Sequence, residues 1–335
     1  MIVARAPGKL VALGEYAVLD GAPALVLALD RYAEATIAAS ADGVCHLETR
    51  APLPVERRFA PGTASGAGLV DLVAATASPP LAWQATLDSS AFFVGPAKLG
   101  LGSSAAVLCA WAGAFAAFAR AAGRDLPAPA LPALIDLHRA FQGGRGSGLD
   151  VAASLTGGAI TFSLDSSGLA RIGSVRLPNS VGFAGIFTGR SASTPELVAH
   201  YRAWRRDHPE QAASLYRRLA AVAELGCAAA RGDDPDAFVE SIADYGRVLQ
   251  NLGEAIGAEI VTAEHRQIGD HARRFGVAYK VSGAGGGDLG LACAVDREAL
   301  AAFTKSVTDR GFNVINVSLA EHGLVVEQRA AKAAQ

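Results

Sequence analysis

The chain is poor in lysine. Lys9, Lys98, Lys280, Lys305 and Lys332 are its only lysines, and arginine supplies the other fixed positive charges. No basic excess exists either. The net charge is −2 and aromatic residues make up 7% of the chain, which argues against a general polyanion binder or a base-stacking platform. Four cysteines, Cys45, Cys109, Cys227 and Cys293, lie far apart and form no CxxC pair. They read as reduced core thiols rather than as disulfides or metal ligands. MIVARAPGKL shows no signal-peptide hydrophobic region. The longest apolar run, Ala105 to Ala119, reads as too short for a bilayer span and is dominated by alanine. A cytoplasmic protein with a buried helix is expected, with no membrane and no nucleic acid as partner.

What is present is globular. Apolar residues make up 51% and charged residues 19% of 335 residues, enough for two domains of ordinary size. The first half reads as strand-rich, at 26–30, 32–40, 44–50 and 91–94, with loops and one short helix over 51–80. Ser103 or Ser104 offers a cap for a helix that Gly123 stops, and a second helix covers 131–142. Strands follow at 158–164 and 169–177. Beyond Pro178 a strand at 181–188 leads into helical stretches over 194–231, broken near Pro209, and then over 234–257 and 258–276. Strands around the next glycine cluster, a helix near 297–310 and two last strands complete an α+β pattern. The expected division is 1–178 and 179–329, with a frayed tail at 330–335.

Chemistry concentrates in three glycine-rich stretches. PAKLGLGSSAAV (96–107) places Gly100, Gly102, Ser103 and Ser104 at the start of a helix. Glycine lets the backbone approach a ligand, and a helix N-terminus adds outward N–H groups and positive potential. Taken alone, such a turn is equally well a cap for a buried helix, and it is not a Walker A loop. APGKLVALGEYAVLDG (6–21) reads as a Pro-Gly-Lys turn followed by Gly14-Glu15, and KVSGAGGGDLGLA (280–292) supplies a second glycine cluster. Lys9, Lys98 and Lys280 sit in or beside these stretches. In a sequence that otherwise prefers arginine, they point to compact charges kept for phosphate.

The three stretches, in this order, resemble the three motifs of the GHMP kinases. That resemblance implies a GHMP kinase fold: an N-terminal domain like the second domain of ribosomal protein S5, with a left-handed βαβ unit, and a ferredoxin-like C-terminal domain. It places the active site in the cleft between them. It implies ATP and Mg2+ as cofactors and a small-molecule acceptor. HRAFQGGRGSGLDVAASLTGG (138–158) and GIFTGRSASTPELV (185–198) resemble segments of the phosphomevalonate kinase branch, so a phosphorylated mevalonate is the expected acceptor. Mevalonate kinases carry a Mg2+-binding glutamate near the position of Arg139, and that ligand is missing here. Mevalonate kinase, or another small-metabolite or sugar kinase, is the alternative. A catalytically silent ATP or metabolite sensor is the alternative from another class, and a homodimer is left open.

By the same resemblance, Lys9 sits at the transferred phosphoryl and Asp150 pairs with it. Lys98, Gly100, Leu101, Gly102, Ser103, Ser104 and Ala105 hold ATP, with Ser104 the Mg2+ ligand. Glu15, Tyr16, Arg145, Ser147, Gly148, Arg190, Ser193, Ser282, Gly283, Gly285 and Gly286 lie on the acceptor side or close the site. Asp150 could also cap its helix. His138, on an apolar helix, reads as structural rather than as a base, and Trp111 as core.

Overall fold

A computed structural model of the chain describes residues 1–144, 146–191 and 194–329. The first half contains β1 (Ile2–Leu13), β2 (Ala24–Ala39), β3 (Cys45–Thr49), β4 (Val55–Phe59), α1 (Gly68–Ala74), β5 (Trp83–Asp88), β6 (Phe93–Val94) and β7 (Ala97–Lys98). Then come α2 (Ser103–Ala121), α3 (Leu131–Phe141), α4 (Leu149–Thr156), β8 (Ala159–Leu164) and β9 (Ala170–Val175). The second half runs β10 (Gly182–Phe187), α5 (Thr194–Asp207), α6 (Pro209–Arg231), α7 (Pro235–Ile256), α8 (Ala263–Arg273), β11 (Ala278–Val281), β12 (Leu289–Ala294), α9 (Arg297–Asp309), β13 (Asn313–Asn316) and β14 (Val325–Gln328).

The larger sheet has eight strands in the order β14-β1-β2-β5-β3-β4, with β8 and β9 branching from β2. The smaller sheet has the order β11-β12-β10-β13. All its neighbours are antiparallel, which is the ferredoxin-like arrangement. The last strand, β14, crosses back and pairs with β1.

Several local expectations change. Pro7-Gly8-Lys9 is not a turn but the middle of β1. The two strands expected at 26–30 and 32–40 are one long strand, β2, whose pairing with β1 shifts register between Pro7 and Gly8. The bulge absorbs residues that read as a break, and it bends the strand rather than ending it. Residues 91–94 divide between a 3-10 turn, Ser90–Phe92, and the short β6. The strand β5 was unmarked, although its burial alternates, and β4 lies on an exposed edge with little apolar signal.

Helix α2 is the hub of the first half. By length and composition it could cross a membrane, contrary to the reading of its apolar run, but 72% of it is buried inside the protein. Trp111 stacks edge-on against Trp83 at 5.2 Å and donates its indole N–H to the Val70 carbonyl at 3.3 Å. Neither serine caps this helix. The cap is Gly102, in the left-handed conformation with φ 76°, and Ser103 and Ser104 form the first turn. All four cysteines are buried and unpaired.

Helix α8 packs on the small sheet through His265, which is 1% exposed. Its Nδ1 lies 2.8 Å from the Tyr279 hydroxyl and its Nε2 lies 2.9 Å from the Gly287 carbonyl. The carbonyl can only accept, so Nε2 carries the proton and Nδ1 receives the phenol. Both nitrogens are satisfied in the neutral ring. Burial then pushes the imidazole down from 6.5 to about 4, against the smaller pull of the Gly287 bond. The folded state therefore binds fewer protons than the unfolded state between those values, and stability falls as pH falls through that window. The loss should be on the order of 3 kcal/mol by pH 4. Urea unfolding at pH 7 and pH 4.5 should show this drop, and His265→Gln should flatten it; an equal drop in both proteins would disprove it.

Candidate active site

The site is built where strand β1 meets two glycine-rich loops from distant parts of the chain. Lys9, on β1, donates its backbone N–H to the Leu101 carbonyl at 2.8 Å and its Nζ to the Gly100 carbonyl at 3.2 Å. First and second motifs are thus tied by both ends of one residue. The approach requires glycine. A Cβ on Gly8 would lie 2.8 Å from the Leu101 carbonyl oxygen, and one on Gly102 would lie 3.0 Å from Lys9 Cγ. No side chain caps the start of α2, so its first N–H groups remain for a ligand.

Lys9 is a depressed cation. Desolvation lowers its pKa, while the carboxylates of Asp150, Asp288 and Glu15 pull it back up in that order. Asp150 lies in the first turn of α4, whose cap is Gly148 at φ 92°. It is therefore not the cap, and its Oδ1 accepts from the Val151 N–H at 3.0 Å. Asp288 was not anticipated. It stands on the third glycine loop with φ 55°, and a Cβ on Gly100 would lie 2.6 Å from its carboxyl carbon. Its sequence signal was an acidic residue ending an otherwise uncharged Gly-Gly-Gly run.

Behind this pocket the third motif is locked to the first. The Glu15 carboxylate and the Lys280 ammonium form a salt bridge with both side chains at most 2% exposed. Glu15 Oε1 also accepts the Gly283 N–H at 3.2 Å. Ser282 Oγ lies 3.0 Å from both the N–H and the carbonyl of Val11, Tyr16 donates to the Ala284 carbonyl, and Tyr245 donates to the Glu15 carbonyl at 2.7 Å. Lys280 is thus no phosphate ligand. It is consumed by a buried carboxylate, and burial lowers its pKa while Glu15 raises it. Gly285 turns against the Ile260 carbonyl, where a Cβ would lie 2.3 Å away, and the Gly286 N–H donates to that carbonyl at 2.9 Å.

The other expected residues fall around this centre. Ser103 and Ala105 turn into the core, so their backbone N–H groups are what they can offer. Ser147 is buried and its Oγ accepts weakly from the Leu149 N–H at 3.4 Å. A Cβ on Gly148 would lie 2.7 Å from Ile135, which seats α3 against the start of α4. Lys98 is exposed at the rim, where its carbonyl accepts from Ser191 Oγ at 3.0 Å. The Arg190 guanidinium is exposed and lies 3.6 Å from Glu264, while its carbonyl accepts the Asp288 N–H at 2.6 Å. Arg145 and Ser193, and the tail at 330–335, lie outside the described residues. Gly283 lies beside Lys9, its Cβ position 4.0 Å from Nζ.

An uncapped helix start behind Gly100 and Gly102, a lysine with carboxylates around it and a ferredoxin-like second half are what a phosphotransferase of this fold requires. The comparisons agree. Residues 82–158 match the GHMP kinases N terminal domain. The chain is 31% identical to a phosphomevalonate kinase of a Streptomyces species, over 89% of this chain and 91% of that one. It is 25% identical to a mevalonate kinase of Aeropyrum pernix over 97% and 98% of the two chains. The structure of Streptococcus pneumoniae phosphomevalonate kinase in complex with phosphomevalonate and AMPPNP superposes with a TM-score of 0.77 at 20% identity, covering 96% of this chain and 100% of that one. The chain belongs to the GHMP kinase family.

The buried ion pair makes a clear prediction. Glu15→Gln or Lys280→Met alone leaves one buried charge without its partner and should cost about 3–5 kcal/mol, whereas the double substitution should recover most of it. Chemical denaturation of the three variants checks this. A double variant as unstable as the sum of the two singles would rule out coupling.

Proposed function

We propose that this enzyme transfers the γ-phosphoryl group of ATP to phosphomevalonate, giving diphosphomevalonate and ADP. The observation that carries the reading is Lys9, fixed to the Gly100 carbonyl beside an uncapped helix start and balanced by Asp150 and Asp288. A single cation there can neutralise the transferring phosphoryl, and in phosphoryl transfer positioning and neutralisation are most of what a protein contributes. The phosphomevalonate kinase relative at 31% identity supports the acceptor. The cytoplasm is the proposed compartment, in keeping with four buried, unpaired thiols.

In the proposed reaction an oxygen of the acceptor phosphate forms a bond to the γ-phosphorus. The bond from that phosphorus to the β–γ bridging oxygen breaks, and its electrons leave on ADP. Gly100, Gly102 and the first turn of α2 cradle the nucleotide phosphates, and Gly283 closes the pocket beside Lys9. The donor chemistry suits Mg2+, because Ser104 offers a hydroxyl oxygen and one such ligand beside waters and phosphate oxygens is adequate. When bound, that ion would offset phosphate charge. Lys98 and Arg190, exposed at the rim, are the basic groups proposed to meet the acceptor's own phosphate.

The acceptor chemistry separates this reading from mevalonate kinase. A phosphate monoester has a second pKa of about 6, so its oxygen is mostly ionised at pH 7 and needs no base. A mevalonate hydroxyl must lose a proton, and a general base is worth about 10²–10⁴-fold. Asp150→Asn should therefore slow turnover of phosphomevalonate without abolishing it, and activity should decline below about pH 6 as the acceptor protonates. ADP release measured with each acceptor tests the assignment. Efficient use of mevalonate with phosphomevalonate inert would replace it, and binding of ATP without turnover of any acceptor would favour a sensor.

A further inference from the structure

Helix α3 was expected to contribute packing. Its face toward the site instead carries a polar chain. His138 is 2% exposed, and its two ring nitrogens face two residues of the site. Nε2 lies 3.1 Å from Ser104 Oγ, and Nδ1 lies 3.7 Å from Asp150 Oδ1. Gln142, one helical turn on, brings its side-chain amide nitrogen within 3.5 Å of the same Nε2. Arg139, the position nearest the missing glutamate, turns away and donates to the carbonyls of Gly146 and Ser147 at 3.2 and 3.3 Å.

The tautomer follows from the neighbours. A carboxylate can only accept, so the proton of a neutral ring belongs on Nδ1, facing Asp150. At 3.7 Å that contact is electrostatic rather than a formed hydrogen bond. The Nε2 lone pair then faces the Gln142 amide, a donor, and the Ser104 hydroxyl. The Ser104 hydroxyl is then the hydrogen-bond donor to the ring. Its O–H points at Nε2, which leaves its oxygen lone pairs directed away from His138, as a cation needs.

We infer that His138 is a positioning residue, linking the Ser104 hydroxyl to the Asp150 carboxylate and orienting that hydroxyl as an oxygen donor. This rests on the proposed roles of Ser104 and Asp150. Supporting groups of this kind typically change metal affinity by about 10–100-fold when removed.

The test uses the full chain loaded with ADP, with Mn2+ as the probe, its binding followed by electron paramagnetic resonance. Ser104→Ala and His138→Phe should each weaken Mn2+ binding by about tenfold or more. His138→Gln, whose amide oxygen can still accept from Ser104, should recover most of the Mn2+ affinity while the rate stays reduced, because the contact with Asp150 is gone. Nitrogen-15 spectra of the unsubstituted protein should show His138 protonated on Nδ1 and bare on Nε2. Normal Mn2+ binding in His138→Phe, with Ser104→Ala impaired, would overturn the inference and leave the site reading standing. Normal Mn2+ binding in Ser104→Ala would overturn the Ser104 assignment itself. Should His138→Phe fail to fold, a proton found on Nε2 would by itself overturn the proposal.

Discussion

At the meeting of the first two glycine motifs, burial works against the charge of Lys9 and three carboxylates work for it. Lys9 is crowded by backbone and loses hydration, which favours the neutral amine. Carboxylates that arrive from three other places oppose that loss: Asp150 on α4, Asp288 on the third glycine loop and Glu15 after β1. Those groups are 141, 279 and 6 residues away in the chain. The fold is therefore an arrangement for bringing distant charges to one nitrogen. The glycines follow from the same need, since Gly8, Gly100 and Gly102 stand where any Cβ would push the converging segments apart.

A second pair of opposite charges acts at a distance from the chemistry. Glu15 and Lys280 are both nearly inaccessible, and Glu15 Oε2 has no hydrogen-bond partner among the described residues. Such a pair is a weak source of stability, because desolvation offsets its attraction. Its geometry is more informative than its energy. One carboxylate oxygen holds both the Lys280 ammonium and the Gly283 N–H, so the third loop is registered against the first strand by a single atom. Tyr16 and Ser282 repeat the link around it, and Tyr245 ties α7 to the Glu15 carbonyl.

The start of α2 was legible in the sequence because glycines and helix starts carry their meaning locally. Gly100-Leu-Gly102-Ser-Ser stands before an apolar run, and α2 begins there. The errors came from interactions that span the chain. Lys280 looked like Lys9 and Lys98, since nothing near it in sequence reveals that a glutamate 265 residues earlier will enclose it. Pro7-Gly8 looked like a turn because a bulge in an adjacent strand cannot be read from one strand alone. Ser103 looked like a cap because the left-handed conformation of Gly102 does not announce itself. His138 looked like packing, and it is indeed buried, but which polar atoms it meets depends on how α3 is laid against α2 and α4.

The pairing of β14 with β1 bears on synthesis. The segment that covers the outer edge of β1, Val325–Gln328, is synthesised long after that strand. Until then the large sheet presents an unpaired ladder of N–H and C=O groups, the feature through which strands recruit foreign chains. Loop closure over such a span comes late and slowly. A nascent chain can thus assemble α2 and its sheet early while the β1 edge waits for Val325–Gln328 to be made. Stalling or truncation before residue 325 would leave that edge bare and adhesive, a load for chaperones rather than a weaker enzyme.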